Sequence, residues 1–470
     1  MVSTVRIARK ELTEMLRDGR FRALAGVVLA VSLVSLAAGW RHYDDLSRQH
    51  RTAQSATREQ WLRQPNKNPH SAAHYGVYAF KPKSQLAIVD TGIDPYMGVA
   101  VWLEAHKQNE FKYRPAQDRT AVQRFGEMTA AETLQILVPL FIVLMTFSAF
   151  AGEREQGTLR QLLSLGVSRR TLALGKALGS AAALGLILVP ATIAGVAALL
   201  LTSRDGLLAS EPTRAVWLAI VYLAYFAIVV AIALAVSARA RSARLALVIL
   251  LTFWFANGLV ASRAIADLAA VLYPTPSAVA FQKALERELN DPADVRRRLD
   301  RRKAELFQRY GVSTVDALPI AFSGISLQEG EEHGNEVFDR HYSRLFAQYE
   351  RQNVVYRLGA LAAPMLAVRS LSMGLSGTDF AQHRDFIDAA ETYRRDIQRV
   401  MNEDITANQK KGEVYLAGAA LWQKVPDFEY SAPPTWWVLV NQRWSLAILG
   451  LWLVVSIASM FGATQRARVD

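Results

Sequence analysis

The sequence predicts an all-α polytopic membrane protein with six transmembrane helices, an N-terminal interfacial helix and two external, mainly helical insertions. Three observations carry this reading. Six nearly uninterrupted apolar runs are long enough to cross a hydrocarbon core of roughly 30 Å as helices. Basic residues gather in the segments between alternate runs. Of the 470 residues 51% are hydrophobic, with mean hydropathy +0.10, which suits a chain divided between lipid and water.

Residues 1–20 read as a cytoplasmic interfacial helix. Val5, Ala8, Leu12, Met15 and Leu16 recur at helical spacing, while Arg6, Arg9, Lys10, Glu14 and Arg17 cover the other face. Such a helix lies along the inner leaflet, and Gly19 allows a bend after it. A cleavable signal peptide is disfavoured, because the charged region is long and no small-residue cleavage site follows the apolar run. Span 1 is 21–40, with Trp40 at the outer interface. The external segment 41–132 opens polar and helical over 44–62, then is punctuated by Pro65, Pro69, Pro82 and Pro95.

Spans 2 and 3, 133–151 and 177–201, flank the loop 152–176. Pro139 and Pro190 are expected to kink them, with neighbouring helices supplying partners for the freed carbonyls. Span 4 is 215–236 and span 5 is 245–262, with the basic anchor 237–244 between them. The external region 264–443 has helix signals of its own. Asp291 and Pro292 open a helix that Gly311 ends, with Val295, Leu299, Leu306 and Tyr310 on its buried face. A second helix is expected over 336–358 and a third from Asp379. At this length the region can bury a core, so it is expected to fold apart from the spans. Trp436, Trp437 and Trp444 return the chain to the interface, span 6 is 444–463, and 464–470 is a cytoplasmic tail.

The net charge of +12 is explained by topology. Segments 1–22, 152–176, 237–244 and 464–470 hold 16 Lys/Arg against 6 Asp/Glu, which accounts for +10 of it. The positive-inside bias therefore places all four, and both termini, in the cytoplasm. The remainder is close to neutral, so no nucleic-acid partner is expected. The Cys count is zero, which excludes disulfides and thiolate metal sites. Apart from Arg22 at the inner edge of span 1, no Asp, Glu, Lys, Arg or His falls inside a predicted span, which points to driving energy supplied from outside the chain. Gln135 and Asn257, the notable polar residues within the spans, read as bonds between helices.

No P-loop is present: Gly175-Lys176 is followed by Ala177, and Arg170 stands where the first glycine would be. H-E-x-x-H and G-x-S-x-G are absent as well, so neither a catalytic residue nor a cofactor is expected on this chain. His74, Asp90, Glu104 and His106 invite a metal reading. Their spacing matches no ligand pattern, and Glu104 and His106 would face apart on a helix, so no metal is assigned. Arg296, Arg297, Arg298, Arg301 and Arg302 are interleaved with acids and read as a solvated helix face.

The most informative stretch is 150–176. Glu153-Arg154-Glu155 follow span 2 directly. Gly157 and Thr158 open a short amphipathic segment with Leu159, Leu162, Leu163 and Leu165 on one side. Gly166 breaks it, and Ser168 caps the next helix. The pattern Glu153-Arg154-Glu155-Gln156-Gly157-Thr158-Leu159, then Leu162-Leu163-Ser164, Ser168-Arg169 and Gly175-Lys176, resembles the first cytoplasmic loop of ABC-2-type transporter permeases. His74-Tyr75-Gly76, Asp90-Thr91-Gly92, Leu103-Glu104-Ala105-His106, Arg124-Phe125-Gly126-Glu127 and Gly377-Thr378-Asp379-Phe380 resemble the subset with a large external domain of unknown function between the fifth and sixth spans.

The resemblance implies an export permease of a bacterial inner membrane, working as a pair with a second copy or a sister permease and surrounded by membrane lipids. A separate ABC ATPase, carrying ATP and Mg, would dock on 152–176 through Glu153, Arg154, Glu155, Gly157, Thr158, Leu159, Leu162 and Leu163. The alternative is a mechanotransmission or sensor protein, relaying motion to its external regions with no cargo crossing the spans.

Overall fold

The computed structural model describes residues 3–117, 120, 128–202, 211–410 and 413–467. The stretch Arg124-Phe125-Gly126-Glu127 lies outside them. Among the described residues six helices are long and apolar enough to cross a membrane: Gly19–Leu62, Ala130–Glu155, Arg169–Thr202, Glu211–Arg239, Ala243–Leu272 and Arg443–Gln465. Each contains one of the six predicted spans.

Helix α1 (Thr4–Arg17) is capped by Ser3, whose hydroxyl accepts from Arg6 N at 3.4 Å. It ends at Asp18, whose extended backbone makes the bend and whose carboxylate caps the next helix at Arg20 N, 2.9 Å. Helix α2 (Gly19–Leu62) then runs 44 residues without a break, about 66 Å at 1.5 Å per residue. The expected span and the polar helix after it are one element, because no Gly or Pro falls between Gly39 and Leu62. After α3 (Pro69–Tyr75), strands β1 (Val77–Phe80), β2 (Ala100–Glu104) and β3 (Lys107–Gln108) form a small antiparallel sheet in which Val77 pairs with Leu103 and Glu104 with Lys107. The first insertion is thus partly β.

Span 2 enters through a π turn, Thr133–Leu137, into α4 (Val138–Thr146). Pro139 cannot donate to the Gln135 carbonyl. Tyr225 OH donates to it instead at 3.3 Å, and Trp254 Nε1 donates to the next carbonyl, Ile136, at 2.9 Å. Neighbouring helices therefore supply the partners, as expected. Helices α5 (Ala151–Glu155) and α6 (Thr158–Ser164) form the loop before α7 (Arg169–Thr202), which continues through Pro190. Spans 4 and 5 are α8 (Glu211–Arg239) and α9 (Ala243–Phe255), the latter carried by a π turn into α10 (Ala261–Leu272).

The second insertion comprises α11 (Ala278–Leu289), α12 (Pro292–Tyr310), α13 (Phe322–Gly359), α14 (Pro364–Leu375) and α15 (Phe380–Asn408), before α16 (Arg443–Gln465) closes the bundle. The caps of α12 are those expected: Asp291 Oδ1 accepts from Ala293 N at 3.0 Å, and Gly311 is left-handed. Asp379 caps α15 at Gln382 N, 3.0 Å. The helix expected over 336–358 starts earlier, at Phe322, and runs through Gly324, Gly330 and Gly334.

Two findings alter the expected division into domains. First, the insertions share one core. Trp61, Val77, Val101 and Leu103 pack with Phe386, Ile397, Met401 and Trp422, and Trp61 Nε1 donates to Trp422 O at 2.9 Å while Trp422 Nε1 donates to Gln64 O at 3.2 Å. Second, 264–443 does not stand apart from the spans. Leu366, Val368, Leu371 and Leu375 of α14 are fully buried in the same apolar core as Ile142, Tyr225, Val229 and Leu449.

A polar chain seals that core. Gln135 Nε2 donates to Tyr222 OH at 3.1 Å, Tyr222 OH lies 2.9 Å from Ser372 Oγ, and Ser372 Oγ donates to Asp90 at 2.5 Å. Asn257 Nδ2 donates to Tyr225 OH at 3.0 Å and its Oδ1 accepts from Met365 N at 3.1 Å. Gln135 and Asn257 do join helices, and part of what they join is α14.

Candidate functional site

The loop between spans 2 and 3 is shaped by two left-handed glycines. Gly157, at φ 73°, has open space around it, so the backbone angle and not crowding calls for glycine there. Gly166, at φ 79°, ends α6 in a Schellman motif: Val167 N donates to Leu162 O at 3.3 Å and Gly166 N to Leu163 O at 3.1 Å. Val167 is buried beside half-buried Leu162, the apolar contact that accompanies this motif. Ser168 then caps α7, accepting from Thr171 N at 3.1 Å.

The loop is clamped to four helices. Ser237 Oγ, near the end of α8, accepts from Phe150 N and Ala151 N at 3.0 and 3.1 Å. Arg154 donates to the last carbonyls of the same helix, Ala238 O at 2.6 Å and Ala240 O at 2.5 Å, where a cation also meets the negative end of the helix dipole. Glu155 Oε1 accepts from Ala243 N at 3.0 Å, the complementary arrangement at the start of α9. Arg169 donates to Thr464 O at 3.2 Å and Ala467 O at 2.6 Å at the end of α16.

The fourth clamp holds α1. Lys176 is 1% exposed, and its Nζ lies 2.7 Å from Glu11 Oε1 and 3.0 Å from Glu153 Oε1. Lys10 reaches the same Glu153 oxygen at 3.3 Å. Helix α1 can come this close because α7 presents Gly175 and Gly179. A Cβ at Gly175 would stand 2.5 Å from Ile7 Cβ, and one at Gly179 would stand 2.6 Å from Glu11 Cβ. Small residues four apart let two helix backbones approach within a membrane.

The residues singled out for docking accordingly divide. Glu153 and Arg154 are half-buried against partners within the chain, while Glu155 is exposed and bonds to Ala243 N at the surface. The Thr158 hydroxyl donates to Glu153 O at 3.1 Å, and Leu159 is buried, with Leu162 and Leu163 half-buried beneath α6. Exposed on the loop are Glu155, Gln156, Gly157, Arg160, Gln161, Ser164, Leu165, Gly166, Ser168 and Arg170. Leu165, at 76% exposed, is the one large apolar side chain among them. The docking residues named from sequence include exposed Glu155 and Gly157 but leave out exposed Arg160, Gln161, Ser164 and Leu165. The amphipathic period of α6 was the available signal, since it places Arg160, Gln161 and Ser164 opposite Leu159.

The four residues that invited a metal reading also divide. His74 and His106 come together, with His70 as their neighbour. Asp90 is buried against Ser372, and Glu104 accepts from Asn109 Nδ2 at 3.0 Å.

Residues 5–295 match the family model of the ABC-2 family transporter proteins, and residues 278–431 match a domain of unknown function (DUF3526). No curated protein matches the chain. With six helices suited to crossing a membrane, a clamped loop between the second and third, and more than half of its length within the family match, the chain belongs to the ABC-2 family of transporter proteins and is a multi-pass membrane permease carrying a domain of unknown function.

Proposed function

We propose that this chain is the permease subunit of an ABC-2-type exporter of a bacterial inner membrane, driven by a separate ABC ATPase that docks on α6 and working as a pair of permease subunits. The observation that carries the reading is the loop itself. A short helix that shows polar side chains and one exposed leucine to water, yet belongs to a loop tied by hydrogen bonds and an ion pair to α1, α8, α9 and α16, can pass a push to several membrane helices at once. The exposed face, not the acidic pair, is the docking surface. ATP and Mg belong to the ATPase, and export is the family's implied direction.

Leu165→Glu with Arg160→Glu should weaken co-purification of the ATPase by about 10- to 100-fold, the range of a central interface contact. The permease itself should elute and melt as before, because both side chains face water. Undiminished co-purification with the neighbouring ATPase would remove α6 as the docking helix. Orientation is tested separately. The chain has no Cys, so single cysteines can be placed cleanly. Cysteine at Ser164 or Ser242 should resist a membrane-impermeant thiol reagent in intact cells, while cysteine at Ser47 or Ser326 should react. Labelling at Ser164 would reverse the topology and withdraw the docking assignment with it.

One observation favours the alternative, mechanotransmission. Helix α2 is continuous from the loop end of the bundle into the shared external core, so the first span and the external unit move together. Proteoliposomes of the permease and its ATPase separate the two readings: an exporter moves cargo across the bilayer on ATP addition, and a transmission device hydrolyses ATP with no solute crossing.

A further inference from the structure

Three histidines from two separate parts of the first insertion converge at its surface. His70 and His74 lie one turn apart on α3, which Asn68 caps by accepting from His70 N at 2.9 Å. His106 sits in the tight turn between β2 and β3 with φ 66°, a left-handed angle that a side chain of this size rarely adopts. That angle swings the ring over α3. The three rings lie 4.7 to 4.9 Å apart, centroid to centroid. One nitrogen from each falls within 4.8 Å of the other two, and His70 Nε2 and His106 Nε2 are 3.1 Å apart.

His106 is oriented from behind. Its Nδ1 lies 2.7 Å from Glu331 Oε1, and its backbone N donates to Glu331 Oε2 at 3.0 Å. Glu331 is 2% exposed and is itself held by Gln398 Nε2 at 2.6 Å. A carboxylate this close requires a proton on Nδ1, which leaves the Nε2 lone pair of the neutral ring directed at His70 and His74.

We propose that His70, His74 and His106 form a site for a divalent transition-metal ion, zinc in the first instance, with Glu331 as the carboxylate that orients His106. Three imidazoles suit zinc, copper or nickel and do not suit magnesium or calcium, which take oxygen ligands. Tetrahedral Zn–N bonds of 2.0–2.1 Å place the nitrogens about 3.4 Å apart, close to the His70–His106 separation, and a small turn of the exposed His74 ring brings in the third. Solvent supplies the fourth position. The ion would join α3 to the β2–β3 turn and, through Glu331, to α13 of the second insertion, in a chain that has no cysteine to make such a link.

The test uses the full chain in detergent, carrying no polyhistidine tag and stripped with chelator, titrated with Zn²⁺ against a chromophoric competitor. One saturable ion per chain is expected. His74→Ala and His106→Ala should weaken it by about 100-fold or more, and Glu331→Gln by about 10- to 100-fold, as for other carboxylates behind ligating histidines. His74 is exposed on a helix face, so His74→Ala should keep the melting temperature measured in chelator and serves as the decisive variant. Absence of a saturable site in the parent chain, or an equal affinity in His74→Ala, would overturn the proposal.

Discussion

Replacing 264–443 with a linker of about ten Gly/Ser residues should leave no stably folded permease. The excision removes α14, and with it four fully buried apolar side chains of the span core, Leu366, Val368, Leu371 and Leu375. A single buried Leu cut to Ala costs about 2–5 kcal/mol, against a total stability of about 5–15 kcal/mol for a typical domain. The same excision strips Ser372 from Asp90 and Tyr222, and takes the Met365 N–H from Asn257. Each loss leaves a polar group inside the bundle without its partner, which costs a further 1–3 kcal/mol or so. Outside the span core, Trp61, Val101 and Leu103 lose Phe386 and Trp422. Size-exclusion profiles and protease resistance of the truncated chain are the measurements. A monodisperse product at parental yield would show that α14 merely rests on the spans. The single variant Leu371→Ala grades the same claim and should lower stability by about 2–5 kcal/mol.

Lys176→Met is expected to be the most damaging single substitution at the loop. It keeps the volume but removes the cation that Glu11 and Glu153 share, at 2.7 and 3.0 Å. Both carboxylates are largely shielded from water, with 8% and 12% of the side chain exposed. Removing one partner of a buried ion pair costs about 3–5 kcal/mol, and here half-exposed Lys10, 3.3 Å from Glu153 and 3.7 Å from Glu11, is left as the one cation for both shielded carboxylates. Helix α1 should then leave its seat on Gly175 and Gly179, and transport driven by the ATPase should fall even though docking residues on α6 are untouched. Protease accessibility of 4–17 and ATP-driven transport read the two effects. Glu11→Gln with Glu153→Gln and Lys176→Met together removes the unpaired charges and should recover much of the stability. If Lys176→Met alone leaves α1 protected, the network is not what seats it.

The spans, α1 and the caps of α12 and α15 were legible because their signals are local: long apolar runs, a 3.6-residue period, and Asp-Pro or Asp at a helix start. What escaped was set at long range. Glu153 reads as a charge waiting for another protein, since Glu11 and Lys176 stand far from it in the chain and no spacing rule links them. Residues 364–375 are apolar but too short to announce a span, and the sequence does not say that spans 4 and 6 leave room for them. Strands β1 (Val77–Phe80) and β2 (Ala100–Glu104) are short and joined by the long stretch 81–99, not by the two-residue turn that usually marks a hairpin. His70 was passed over because Pro69 beside it reads as loop punctuation, and His106 was named but set aside on a helical reading, whereas it sits in a left-handed turn after β2.

The unbroken run of α2 has a mechanical consequence. A rod of about 66 Å, gripped near one end by α1 and α7 and near the other by Trp61 in the external core, acts as a lever with its fulcrum inside the bilayer. Tilting such a rod by about 5° carries one tip some 6 Å relative to the other over that length, more than the one-turn step of a helix. Small rocking at the end that bears α6 is thereby magnified at the far end, and the gain is set by the number of residues in α2. Lengthening the polar half by two helical turns would raise the amplitude without touching a single contact at the base.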